Sequence, residues 1–375
     1  MKKITFLMLH LNYGGLEKQT ITLINEFAKV HKFELEIVSV YDIIGKSFYN
    51  LDESVKVKYL LKYGPNKEEI KKCLNDGKYF KFIGQILKGI KIVFLKYFLM
   101  KKEIKNLKTD YIFSTRIEFS KQIKRKDTIN ISQEHSYIDN EKYINQIKTS
   151  FDYIDYLIVM TDKAKQNYEK WLNTNRTDIK VIPNMIEENT KYMSTCENKK
   201  IISVGRLEDV KDFSLLISIF SKIVIKNKCN DWKLEILGNG SLKPVLKAQI
   251  DVLGLTDNIK LIDSVPSEEV YKRLSDSSIF VLTSKSESFS LVLCEAMNVG
   301  LPVVSFDIDV GPREIINNFK TGYLINGRDE EEMRAMIEML IDNTKLRKGI
   351  GSEAKKSVQK YYSSNIINKW LEILK

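Results

Sequence analysis

Cysteine is scarce in this chain: four residues of 375 (Cys73, Cys196, Cys229 and Cys294), widely scattered. Without paired spacing of the kind that builds a zinc site or a disulfide framework, they read as reduced, mostly buried thiols. Histidine is scarcer still, with three residues. The first 25 residues hold no charged leader followed by an apolar stretch and a small-residue cleavage site, so the expectation is a cytosolic protein. No complete G-x-G-x-x-G fingerprint occurs, which argues against a nicotinamide or flavin site. Neither an aromatic RNA-binding signature nor a basic recognition helix accompanies the basic charge, and no nucleic-acid partner is expected.

What is present is a hydrophobic content of 43%, enough for two ordinary cores, and a net charge of +11. Residues 1–185 carry 33 Lys and Arg against 22 Asp and Glu, whereas the remainder is balanced at 27 against 27. All the excess charge therefore sits in the first half, which implies an anionic partner for that half alone.

Apolar runs alternate with helical patterns from the start. KKITFLML, FELEIVSVY, DYIFST, TINISQEH and YLIVMT read as buried strands, with helices between them. Residues 178–200 then turn polar and aperiodic around a proline and read as a linker. Six further strands come after it: IISVGRL, WKLEILG, NIKLIDSV, SIFVLTS, LPVVSFD and GYLI. Two doubly wound α/β domains result, divided at 1–185 and 186–355, with a last helix in 356–375 expected to pack back on the first domain. In such sheets ligands bind beyond the carboxyl ends of the strands, so the loops there are the candidates.

GRLEDVKDF, after one such strand, sets Arg206 and Lys211 five apart beside a helix start, where two cations suit a diphosphate; two solvated basic residues are the alternative. GGLEK supplies Gly14 and Gly15 where backbone must approach something closely. His135 and His10 each end a strand and could orient a hydroxyl or be structural, whereas His31 reads as superficial. Asp307 and Asp309 have the D-x-D spacing of some metal sites, and a turn-and-cap device is the stronger reading. Glu287 and Glu295 stand eight apart in SESFSLVLCEAMNVGLPVVSFD, the second inside an otherwise buried helix, where a carboxylate needs a partner.

Together GGLEK, GRLEDVK, LGNGSLK, VLTSKSESFSLVLCEAMNVGLPVVSFD and DVGPREIINNFKTGYLI resemble glycosyltransferase family 4, whose members are retaining enzymes of the GT-B fold, two Rossmann-like domains facing across a cleft. The glutamate pair is that family's E-x7-E signature. The GPREII run is similar to a subgroup that builds bacterial exopolysaccharides and capsules, including the amylovoran-type galactosyltransferases. The resemblance implies a UDP-sugar donor, no metal or other cofactor, and a glycan or undecaprenyl-diphosphate-linked acceptor at the inner face of the membrane. It further implies that Arg206 and Lys211 hold the donor diphosphate, Glu295 the ribose, and Glu287 with Ser288, Phe289 and Ser290 the donor sugar and its phosphate. Gly14 and Gly15 would close over the phosphates, and His135 would lie beside the sugar. Family members commonly have glycine at the position of Ser288 and proline or glycine at that of Ser290. In the base-contacting loop, LIDSV, Ser264 replaces a glycine beside Val265. A sugar phosphorylase, a sugar-nucleotide epimerase and a non-catalytic membrane scaffold are the alternatives.

Residues 78–100 form a lysine-studded amphipathic helix whose apolar, aromatic side suits either the domain core or the interface of an anionic membrane. Its interspersed lysines argue against a spanning helix.

Overall fold

The computed structural model describes all residues except 44, 46, 136–139, 173–175, 189, 190, 228–230 and 375, and omits the side chains of 226 and 227. Cys229 thus lies outside the described residues. The chain divides into two compact units, Met1–Ile182 and Pro183–Lys375.

The first unit contains strands β1 (Lys2–Met8), β2 (Phe33–Tyr41), β3 (Lys56–Leu61), β4 (Tyr111–Ser114), β5 (Ile129–Gln133), β6 (Tyr156–Val159) and β7 (Asp178–Val181). Its helices are α1 (Gly15–Val30), α2 (Lys67–Asn75), α3 (Tyr79–Asn106), α4 (Ile117–Ser120), α5 (Glu141–Lys148) and α6 (Asp162–Leu172). The strands run parallel in the order β3-β2-β1-β4-β5-β6-β7. Central strands are buried on both faces, as a parallel sheet covered by helices requires, with Phe6 of β1 against Phe113 of β4 at 4.8 Å between ring centroids.

The second unit contains β8 (Lys200–Val204), β9 (Lys233–Leu237), β10 (Ile259–Ile262), β11 (Ile279–Leu282), β12 (Val303–Phe306) and β13 (Gly322–Ile325). Helices α7 (Phe213–Asn227), α8 (Lys243–Val252), α9 (Ser267–Ser275), α10 (Leu291–Asn298), α11 (Pro312–Ile315), α12 (Glu330–Asp342), α13 (Thr344–Val358) and α14 (Ser363–Ile373) accompany them. These strands are also parallel, in the order β10-β9-β8-β11-β12-β13. Phe220, Ile236, Val281 and Val304 form part of the core between sheet and helices.

Strand order turns back between β1 and β4 in one unit and between β8 and β11 in the other, so each sheet opens a crevice at its strands' carboxyl ends there. Two strands have no counterpart in the sequence reading. Both are edges: β3 (KVKYLL) alternates lysine with apolar residues, and β7 (DIKV), within the stretch read as linker, buries only Ile179. An edge strand needs no continuous apolar run, so that signal is weak there. α3 also departs from a core packing, because it buries only Ile92, Met100 and Ile104. Among the described residues no helix is long and apolar enough to cross a membrane.

Candidate active site

Two loops meet where the second sheet turns back. After β8 the chain passes Gly205 and Arg206 into a single turn at Asp209–Lys211, then Asp212 in the left-handed region (φ 50°) before α7. Close approach is built into this turn. A Cβ at Gly205 would sit 3.3 Å from Lys211 Cδ and Cε, and one at Gly238 (φ +150°) would lie 1.8 Å from the Gly205 carbonyl oxygen. The loop after β11 is stitched to the first: the Lys285 amide donates to the Val210 carbonyl at 2.8 Å, and Thr283 Oγ1 donates to that of Lys211 at 2.9 Å.

This stitching brings Lys211 to Glu287. Lys211 Nζ lies 2.5 Å from Glu287 Oε1, with side chains only 16% and 9% exposed, and Ser284 Oγ donates to the same oxygen at 2.6 Å. A lysine and a carboxylate this buried are tolerable because each answers the other. Gly311 backs the glutamate: a Cβ there would lie 3.2 Å from Glu287 Cβ, and its φ of +98° already favours glycine. Arg206 is exposed, and among the described residues no carboxylate lies within ion-pair distance of it. It lowers the pKa of nearby Glu208, which chiefly owes its shift to the amide and hydroxyl of Ser241.

Beyond Glu287, Phe289 is buried edge-on to Tyr361 at 5.1 Å. Ser290 takes φ 59° just before α10, where its side chain caps nothing, and its buried Oγ has no partner among the described residues. Ser288 is the half-buried residue between Glu287 and Phe289. α10 begins directly after Ser290, and a helix amino terminus is a favourable place for negative charge. Glu295 lies further along α10, buried at 9% exposure, and its charge helps raise the Tyr271 pKa, which burial raises most. Ser264 and Val265 are half-buried after β10, two strands from β8, and no described contact joins them to Lys211 or Glu287. The D-x-D pair is occupied internally: Arg313 grips Asp307 with two bonds of 2.7 and 2.8 Å and Asp309 with one of 2.6 Å.

Sequence reasoning missed two supports. Arg328, left-handed at φ 56°, donates to the carbonyls of Thr283 and Ser284 at 3.2 and 2.9 Å and to Asp212 Oδ2 at 2.6 Å. It therefore fixes both loops at once. The turn NGR that carries it reads only as a turn, and Ser284 reads only as a polar loop residue.

The crevice of the first unit gathers His10, Glu17, Arg116 and His135. Glu17 is buried; its Oε1 lies 3.2 Å from Arg116 Nη2 and 3.7 Å from His10 Nδ1. A Cβ at Gly14 would lie 2.0 Å from Glu17 Oε2, so this glycine makes room for a carboxylate of its own chain, whereas a Cβ at Gly15 would meet nothing within 4 Å. Burial lowers the His10 pKa, with Glu17 opposing and Arg116 assisting. His135 is pushed down to about 3 by burial and by Arg116, and its Nε2 is buried with no partner among the described residues. Its neighbour Glu134 moves the other way, up to about 7, because burial outweighs the hydroxyls of Tyr143 and Tyr168 that reach its Oε2. Glu17 and Arg116 are again absent from the sequence reading, although a basic residue just past a strand's carboxyl end was the very signal that singled out Arg206.

Known proteins resemble the chain throughout its length. An exopolysaccharide phosphotransferase of Streptomyces coelicolor is 27% identical over 99% of this chain, which spans 40% of that protein. The Campylobacter jejuni GalNAc-alpha-(1->4)-GalNAc-alpha-(1->3)-diNAcBac-PP-undecaprenol alpha-1,4-N-acetyl-D-galactosaminyltransferase is 26% identical over 100% of this chain and 98% of its own length. Among solved structures, Staphylococcus aureus TarM in complex with fondaparinux, alpha-GlcNAc-glycerol and UDP superposes with a TM-score of 0.78 at 20% identity, covering 99% of each chain. The fold is that of the GT-B glycosyltransferases. Residues 186–357 match the family model Glycosyl transferases group 1, and the chain carries a domain of that family.

Proposed function

We propose that this protein is a retaining, metal-independent glycosyltransferase that moves a hexosyl or N-acetylhexosaminyl group from a UDP-sugar to a lipid-linked glycan. Its setting is bacterial surface polysaccharide synthesis, at the inner face of the cell membrane. The observation that carries the reading is the Lys211–Glu287 pair, held by Ser284 at the turning point of the second sheet beside the exposed cation Arg206. The names of the relatives support the acceptor class, and UDP in the TarM complex supports the donor class.

Arg206, Lys211 and the amino terminus of α10 stabilise charge on the diphosphate as the bond from the anomeric carbon to phosphate oxygen breaks. The acceptor oxygen bonds to that carbon on the same face and its proton passes to the leaving phosphate, so no enzyme nucleophile takes part. Glu287 faces the sugar and Glu295 the ribose hydroxyls. In the first unit His135 stays neutral, so its unpartnered Nε2 can bond a sugar hydroxyl without adding a cation. Gly14 and Gly15 bring backbone to the phosphates, and Ser264 and Val265 face the base.

A panel of UDP-sugars tested for protection against heat is the direct test. A donor at 100 times its Kd stabilises by about 2.7 kcal/mol. Absence of a shift with every nucleotide sugar contradicts the donor assignment; turnover that needs inorganic phosphate points to a phosphorylase, and turnover without an acceptor to an epimerase.

A further inference from the structure

α3 leaves uncovered what a helix ordinarily hides. Phe80, Ile83, Leu87, Ile90, Phe94 and Phe98 are between 51% and 94% exposed. At about 100° per residue they fall within one arc of roughly 80°. Phe94 and Phe98 stack on each other at 6.1 Å, which makes the stripe continuous. The opposite side is where the helix is anchored. A Cβ at Gly89 would lie 3.1 Å from Asn66 Oδ1, and Asn66 Nδ2 donates to the Gln85 carbonyl and side-chain oxygens at 2.7 and 2.8 Å, so α2 packs against that face and leaves the apolar stripe open. Contiguous apolar surface of this kind marks an interaction site, because single exposed residues are ordinary and rows of them are not.

Charge identifies the occupant. α3 holds seven lysines and one glutamate, and that glutamate, Glu103, is held by Lys58 at 2.5 Å. Lys96 pairs with Glu118, whereas Lys81, Lys88 and Lys91 along one flank have no carboxylate within ion-pair distance among the described residues. Packing α3 on a second copy would set lysines against lysines with no spare acid to offset them. A bilayer bearing anionic headgroups answers both features: apolar side chains enter the acyl boundary while lysines reach the phosphates.

We infer that α3 lies flat on an anionic lipid surface and attaches the first unit to it through this stripe. The inference deepens the membrane part of the reading above and rests on it for the partner alone. The full chain, F94S/F98S and K81Q/K88Q/K91Q are floated with vesicles of phosphatidylcholine alone or with about a third phosphatidylglycerol, at low and high salt. The wild type binds the anionic vesicles, releases in high salt and ignores the neutral ones. The lysine variant loses about fivefold per lysine, roughly 100-fold together, and the phenylalanine variant loses binding to a similar degree. All three retain the heat protection given by UDP-sugars, so failure of α3 docking and failure of the donor assignment register in separate assays. Equal binding to neutral and anionic vesicles, binding undiminished in both variants, or a wild-type dimer that F94S/F98S turns into monomers without any vesicle binding overturns the inference.

Discussion

Both units place charged side chains where the strand order turns back, and they differ in how fully those charges are answered. In the second unit Lys211, Glu287 and Ser284 satisfy one another, and Arg328 locks the loops beneath them. In the first, Arg116 and His10 share the single carboxylate of Glu17, while Arg116 Nε and His135 Nε2 are buried without partners among the described residues. The contrast repeats at the scale of whole units, one neutral and the other carrying all +11 charges. A closed network is already organised before a ligand arrives. Orphaned polar groups are costly unless something fills them, which fits the proposal that a ligand's own hydroxyls complete the first crevice.

Lys211→Ala is the sharpest way to break the second network. It removes the cation proposed to hold the diphosphate and leaves Glu287 buried with Ser284 alone, so initial rates of glycosyl transfer should fall about 10²–10³-fold, or roughly 3–4 kcal/mol of transition-state stabilisation. A rate within threefold of wild type would remove Lys211 from the diphosphate site. Glycines separate the units more cleanly. Gly238→Ala drives a methyl into the Gly205 carbonyl and should lower stability by about 2–4 kcal/mol in urea unfolding followed by far-UV circular dichroism. Gly15→Ala meets open space at a helix start, so stability should hold or rise by about 0.5 kcal/mol. Donor affinity should nonetheless drop if backbone approaches the phosphates there; unchanged affinity would remove Gly15 from the site.

These expectations also show what the sequence made legible. Predominantly apolar runs disclosed eleven strands, the second unit's edges β10 and β13 among them; the first unit's edge strands β3 and β7 lacked that mark. Lys211 and Glu287 were legible because their loops come after strands at a fixed spacing. Arg328 was not, because its role depends on a left-handed turn that carries it across two loops, and nothing local encodes that distance. For α3 the periodic lysines were legible, yet amphipathicity has the same form whether the apolar side meets a core or a bilayer. Only its exposure in the fold argues against the core.

Glu134 and His135 offer a comparison within one step of chain. Glu134 keeps its proton up to about 7 in the folded state, against about 4.3 for an exposed glutamate, so its stabilisation is complete below pH 4.3 and is lost as pH rises through 7. His135, pushed down to about 3 from about 6.5, contributes above pH 6.5 and loses that as pH falls through 3. Between about pH 4.5 and 6.5 the two slopes oppose. Glu134→Gln removes the falling one, so the stability difference between variant and wild type should grow by about 1 kcal/mol per pH unit across that window, read from urea midpoints. A constant difference would show that Glu134 titrates normally in the folded chain.

The smallest expected effect tests whether the second site is under strain at rest. Ser290 holds φ 59° with an unpartnered hydroxyl at the start of α10, two costs that glycine would relieve, offset by the greater freedom of glycine in the unfolded chain. Ser290→Gly should therefore gain about 0.5 kcal/mol and raise Tm by roughly 1–2 °C. His31, also left-handed at φ 54°, closes α1 where that conformation is the ordinary way to end a helix, and its glycine variant should gain a similar amount. Donor binding separates the two: His31→Gly should leave UDP-sugar affinity unchanged, whereas Ser290→Gly should alter it if, as proposed, this residue borders the donor phosphate. If both variants bind donor like the wild type, the strain at Ser290 belongs to the fold and not to the site.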